Sequence, residues 1–276
     1  VTPRDALAAL VGRHHDQVPL DEGAALLAAD DRPEVDVAGV VQALDRLAAR
    51  VVLRPGASLF ENFARLRILL FEGEGAFAGD TDDYHALENS WIDAVLARRR
   101  GMPITLSLVL IEVARRAGLE LQGVGFPGHF LVAPAPGLTD TPFWIDPFRG
   151  GRVLNEDGLR GLYEELSQGQ PAPPELWARF TAPVSSRQLL VRVNNNLKHS
   201  YARIGEPAGA LRAVERNLLL DPLAWHERRD RGLLLLQLGR ESEGRESLRH
   251  YLAGMPDAPD AARVKALLAS FRPAED

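Results

Sequence analysis

Cysteine is absent from the 276 residues. That excludes a disulfide framework, a thiolate zinc site, an iron–sulfur cluster and a cysteine nucleophile. Lysine is scarce, and the bias toward arginine is assigned to genome composition. Positive charge is not in excess: 38 acidic residues stand against 32 basic ones, a net charge of −6. A strongly basic nucleic-acid binder is therefore excluded as the default, and no nucleic-acid partner is expected. No run of about 18 apolar residues occurs, so no membrane-spanning helix is expected. The first residues, VTPRDALAALVGRHHDQVPLDEGAALLAAD, carry charges throughout and no apolar core. They predict no signal peptide and a cytoplasmic address. His14, His15, His85, His199, His226 and His250 share no ligand spacing, and no HExxH appears. No metal and no cofactor are expected. Gly123 to Gly128 lacks the strand–turn–helix context of a dinucleotide fingerprint and reads as a strand connection.

What is present is a chain that is 46% hydrophobic, enough for a real core. Residues 4–50 have apolar side chains at helical spacing. Pro55-Gly56 ends that run. Ala57 to Gly73 continues as a helix, with Leu59, Phe63, Leu66 and Leu70 on one stripe. Gly73, Gly75 and Gly79 read as a flexible turn region, and His85 to Arg100 as a return to helix. Pro103 stands where a helix tolerates proline best, at its first position. The following ITLSLVLIEVARRAG is apolar on most faces and predicts a buried central helix capped by Gly118. LELQGVGF, HFLVAP and FWIDPF then read as three short strands. A buried helix followed by a small antiparallel sheet makes an α+β core within a mostly helical chain.

The segment QPAPPELWARFTAP, Gln170 to Pro183, reads as a proline-rich connector. Net charge changes sign across it, from −9 over residues 1–185 to +3 over residues 186–276. The expected division is 1–183, with a core at about 84–160, and 184–276. In the second part, Tyr201 and Leu235, Gly205 and Gly239, Leu218 and Leu252, and Pro222 and Pro256 are each offset by 34. That is the tetratricopeptide period, and Ala261 to Phe271 reads as a closing helix. An ordinary helical bundle is the plainer alternative.

Three places concentrate chemistry: the start of the buried helix, the His in GFPGHF and the Asp in WIDPFRGG. A helix N-terminus offers free N–H groups. A strand His can act as a base, and an Asp on the neighbouring strand can fix its tautomer. Equally, His129 and Asp146 can be a buried hydrogen-bonded pair that joins two strands. Trp144 reads as core or as a binding residue. Asn89 reads as a turn cap or as a pocket residue. Arg98-Arg99-Arg100 is a solvated helix end, or places Arg99 to hold a carboxylate.

YHALENSWIDAVLARRRG, RRRGMPITLSLVLIEVARRAGLELQGVGFPGHFLV and FWIDPFRGGRVL together resemble the SirB-type branch of the transglutaminase-like superfamily. The resemblance implies a transglutaminase- or papain-like core with a cysteine at the start of the central helix, a histidine opening a strand and an aspartate on the next. His129 and Asp146 match the latter two, and Arg99 matches the family's arginine. The cysteine slot falls on or beside Pro103, which has no nucleophilic atom. Thr105 and Ser107 are the hydroxyls nearest that slot. At 3.6 residues per turn, Thr105 is rotated about 200° from it and Ser107 about 40°, one turn deeper. The expectation is a non-catalytic module that binds a protein or peptide through the cleft and the tetratricopeptide-like tail. Binding residues would come from Asn89, Arg99, Pro103 and Trp144. The alternative is a hydrolase of an amide, ester or peptide bond, using Thr105, Ser107 or a His129-activated water.

Overall fold

The computed structural model describes residues 1–14 and 17–271. His15, one of the histidines read as lacking ligand spacing, lies outside the described residues. The chain divides into two compact units, Val1–Val193 and Asn194–Asp276.

The first unit opens with α1 (Pro3–His14), α2 (Leu20–Asp31), α3 (Val37–Ala48) and α4 (Leu59–Phe71). On α4 the expected stripe buries Phe63, Leu66 and Leu70, with Leu59 half-buried at the helix start. Ser58 caps α4 by accepting the Glu61 N–H, while the Glu61 carboxylate accepts the Ser58 N–H. That reciprocal arrangement satisfies donors which the first turn leaves free.

The region read as a glycine turn does turn at Gly73 and Gly75, with φ of 79° and 76°, and then supplies β1 (Ala78–Gly79), which takes in the third glycine. The region read as a single helix from His85 to Arg100 is broken. It contains a 3₁₀ turn at Leu87–Asn89, α5 (Ile92–Arg98) and β2 (Arg100–Gly101), which pairs in parallel with β1. The cause of the break is Asn89. Its side-chain amide donates to the Asp83 carbonyl at 2.7 Å, closing the chain on itself where a helix would have continued.

α6 (Pro103–Ala117) begins at Pro103 and ends at Gly118, as its sequence predicts. Every residue from Pro103 to Ala114 is buried. Leu106, Leu108, Val109, Leu110 and Val113 are all within 1% of complete burial. Each such side chain contributes roughly 1.5–3 kcal/mol through removal from water. Arg116 in the last turn binds Asp21 of α2, Asp45 of α3 and Glu112. Burial alone would lower its pKa, but these three carboxylates outweigh burial and raise it.

The three expected strands are β3 (Leu121–Val124), β4 (Leu131–Pro134) and β5 (Trp144–Asp146). A fourth, β6 (Arg152–Leu154), completes an antiparallel sheet in the order β3-β4-β5-β6. α7 (Glu156–Leu166) follows, with Asn155 capping it through the Gly158 N–H. The proline-rich connector holds a helix of its own, α8 (Pro174–Thr181). Pro174 sits in its first turn, where the missing N–H is not needed, so proline starts this helix instead of preventing it. Trp177 and Phe180 of α8 pack on Phe126, Trp144, Leu154 and their buried neighbours. Val184 N–H then donates to the Gly123 carbonyl at 2.9 Å.

α9 (Ser186–Arg203) carries the division point. The second unit continues with α10 (Pro207–Leu220), α11 (Trp225–Gln237), α12 (Glu241–Gly254) and α13 (Ala261–Ser270). The 34-residue offset is structural. Gly205 and Gly239 end the first helix of each hairpin with φ of 74° and 75°, in the left-handed region that glycine enters without strain. Tyr201 and Leu235 are both buried, Leu218 and Leu252 both half-buried, and Pro222 and Pro256 both exposed. Among the described residues no helix is long and apolar enough to cross a membrane.

Candidate functional site

The start of α6 is closed on itself. Pro103, at the slot the sequence comparison singles out, is buried. Thr105 is 1% exposed, and its hydroxyl accepts the Met102 N–H at 3.0 Å. A hydroxyl has one proton to give. For that proton Thr105 has two carbonyl acceptors, Asn89 at 2.7 Å and Met102 at 3.1 Å. Ser107 is fully buried and donates to the Pro103 carbonyl at 2.7 Å, four residues back along the helix. Both hydroxyls therefore fasten backbone.

Asn89 belongs to the same fastening. It is fully buried, its carbonyl accepts from Thr105 and from Met102 N–H, and its side-chain oxygen accepts from Arg98 at 3.2 Å. Arg98 also reaches Asp80 at 3.0 Å. Burial tends to raise the Asp80 pKa. Hydrogen bonds from Asp83 N–H, Asn89, Arg98 and Asp82 N–H outweigh burial and leave it below the usual carboxylate range. Arg98, not Arg99, thus ties the turn to β1. Arg99 lies with its guanidinium 4.4 Å from the centre of the Phe77 ring.

His129 opens the approach to β4, and Asp146 ends β5. Their side chains meet: Nε2 of His129 lies 2.9 Å from Oδ1 of Asp146. The His129 side chain is 6% exposed and that of Asp146 1%. Among the described residues Nδ1 of His129 has no protein partner. Asp146 Oδ1 also accepts the Arg149 N–H at 3.2 Å, while Oδ2 is buried without a hydrogen-bond partner. The Arg149 side chain is 3.7 Å from Oδ2 and is turned mainly to Glu165 of α7, which it grips at 2.6 and 2.9 Å. That contact raises the Arg149 pKa and lowers that of Glu165. Phe148 stands edge-on to His129 at 6.0 Å and fills the space beside Gly79, where a Cβ would come within 2.5 Å of its ring.

Arg149, Glu165 and Phe148 were not among the expected site residues. Arg149 and Phe148 lie within the quoted WIDPFRGG, but Glu165 has no local signal, because a surface glutamate on an unassigned helix looks like any other. Trp144 is 8% exposed and packs with Val124, Phe126, Leu131 and Leu159.

The arrangement provides a histidine with one nitrogen fixed by a carboxylate and the other free of protein partners. It provides no hydroxyl free of a backbone commitment at the start of α6. Two grooves of about 1010 and 490 Å³ occur in this unit, and neither is lined by His129 or Asp146. Among the described residues no three His, Asp or Glu side chains converge as metal ligands would.

Comparison with known proteins places these features. Residues 38–195 match the transglutaminase-like superfamily model, and residues 197–269 match a tetratricopeptide repeat model. The chain is 35% identical over 255 residues to a UPF0162 protein of Xylella fastidiosa, covering 90% of this chain and 88% of that one. It is 28% identical over 200 residues to protein SirB1 of Salmonella typhimurium, covering 72% of each. Among solved structures it is similar to menin, with a TM-score of 0.42 and 10% identity over 90% of this chain and 69% of that one.

Proposed function

Because this chain belongs to the transglutaminase-like superfamily and has no cysteine, we propose that it uses the fold to bind a protein or peptide without catalysing thiol chemistry. The observation that carries this reading is the state of the two hydroxyls. Thr105 and Ser107 are buried and each is bonded to main-chain carbonyls. Using either as a nucleophile requires breaking that bond and exposing the helix start. The His129–Asp146 pair then serves as a tie between the turn ahead of β4 and the end of β5. The tetratricopeptide repeats support the same reading, since such hairpins present surfaces to extended or helical peptides.

A second reading has one observation in its favour. Nδ1 of His129 is without a protein partner while Nε2 is held by Asp146, the orientation a base needs to activate a water. The two readings separate in one assay. Wild type and His129→Ala are compared on a panel of esters, amides and peptides. Binding without catalysis predicts no turnover that depends on His129. Turnover lost in His129→Ala, with unchanged folding, establishes the hydrolase and overturns the first reading. Partner capture from native lysate with wild type and His129→Ala supplies the complementary result: a specific partner, weakened in the variant.

A further inference from the structure

The smaller groove, of about 490 Å³, runs between α3 and α5 and has a character unlike the closed site. Its floor is apolar, formed by Val40, Ala43, Leu47 and Leu96. One end carries three arginines: Arg46 in the last turn of α3, Arg50 just beyond it, and Arg99 just beyond α5. Among the described residues none of these three is ion-paired with a carboxylate, whereas Arg4, Arg98, Arg116 and Arg149 of the same unit each are; what sets the three apart from other unpaired arginines is that they share one groove. Arg50 stands near enough to Arg99 that its positive charge, after burial, lowers the Arg99 pKa.

The backbone marks the same residue. Arg99 has φ of 58°, in the left-handed region where a helix ordinarily ends on glycine. An L side chain is strained there, and a strained position that carries a side chain invites a functional explanation. The guanidinium is steadied on Phe77, which is 1% exposed. The carboxylates of the groove lie at its other end. Asp93 begins α5 and is ion-paired with Arg32. Asp36 begins α3, about 15 Å along the helix axis from Arg46 at 1.5 Å per residue.

We propose that this groove is the docking site for a peptide segment of a protein partner, with an apolar stretch on the α3–α5 floor followed by carboxylates gripped by Arg46, Arg50 and Arg99. Charge complementarity selects this occupant. An apolar floor with uncompensated guanidinium groups at one end and paired or distant carboxylates at the other favours a ligand of the same polarity. The proposal rests on the binding reading above and names its partner's chemistry.

The test uses the full chain and three probes. These are an amidated octapeptide of sequence Leu-Ala-Ala-Leu-Ala-Glu-Glu-Glu, its counterpart with lysine in place of glutamate, and inorganic phosphate. Binding is followed through the arginine side-chain N–H resonances. The acidic peptide should bind saturably, shifting Arg46, Arg50 and Arg99, and the lysine peptide should not bind. Arg50→Gln combined with Arg99→Gln should weaken binding at least tenfold. Arg179→Gln, at an exposed arginine of α8, should leave it unchanged. An equal loss in Arg179→Gln means diffuse attraction and overturns the proposal. Phosphate binding without peptide binding overturns it as well, as does the absence of any saturable response. The outcomes for the two readings are distinguishable. Loss of the groove with a partner still captured leaves the binding function standing. Peptide binding alongside His129-dependent turnover leaves the groove standing and removes the non-catalytic reading.

Discussion

The start of α6 and the α3–α5 groove lie in the same unit and treat polar side chains in opposite ways. At α6 both hydroxyls are turned inward, Thr105 to Asn89 and Ser107 to Pro103. At one end of the groove three arginines stand together, none ion-paired with a carboxylate among the described residues. The hydroxyls nearest the expected nucleophile slot are tied to backbone, while the arginines of the groove, the motif residue Arg99 among them, are not tied to carboxylates among the described residues. Position in a family motif therefore does not by itself locate function. The hydrogen-bond state of each group does.

This contrast has measurable consequences for stability. Removing a fastener should cost folding energy, and removing a groove arginine should not. Asp146→Ala leaves two buried donors, His129 and the Arg149 N–H, without their acceptor and should lower unfolding stability by about 3 kcal/mol in urea titrations. Thr105→Val removes the hydroxyl that joins Met102 to Asn89 and should cost about 1–3 kcal/mol, with Thr105→Ser restoring most of it. If Thr105→Val is neutral, the fastening role is wrong. Ser107→Ala should cost less, under about 1 kcal/mol, since its acceptor already belongs to the helix ladder.

Asp80 supplies a pH test. Its folded pKa lies below the ordinary value, so its bonds stabilise the protein above the unfolded pKa of about 4, and that stabilisation is lost as pH falls through the lower folded value. Asp80→Asn should flatten the acid limb of a stability-against-pH curve, and an unchanged limb would remove Asp80 from this role. The smallest effect is expected in the groove. Arg99→Gly relieves a left-handed residue by about 1 kcal/mol and gives up a ring contact worth about 0.5–1 kcal/mol. Its thermal midpoint should stay within a few degrees of wild type.

Much of this was readable from the residues. Helix α6 follows from an apolar run between Pro103 and Gly118, and the repeats follow from Gly205 and Gly239 at one period. The His129–Asp146 contact follows from their places, His129 just ahead of one strand and Asp146 at the end of the next. What escaped reading depended on tertiary partners. The break between His85 and Arg100 needs the Asn89 amide to find the Asp83 carbonyl, a contact that helical periodicity does not encode. β1 and β2 are two residues each and exist only because they pair. α8 was hidden because prolines that start a helix and prolines that interrupt one look alike in a segment that holds Pro171, Pro173, Pro174 and Pro183. Arg98 and Arg99 are indistinguishable in an Arg-Arg-Arg run, and only the left-handed turn at Arg99 sends one to Asp80 and the other to Phe77.

If the start of α6 is structure and not chemistry, its hydroxyls are unreactive, and covalent labelling decides the point. The folded protein is treated with a fluorophosphonate and the adducts are mapped by peptide mass spectrometry, in wild type and in His129→Ala. No adduct is expected on Thr105 or Ser107 in either protein. A near-stoichiometric adduct on one of them in wild type, absent in His129→Ala, would contradict it.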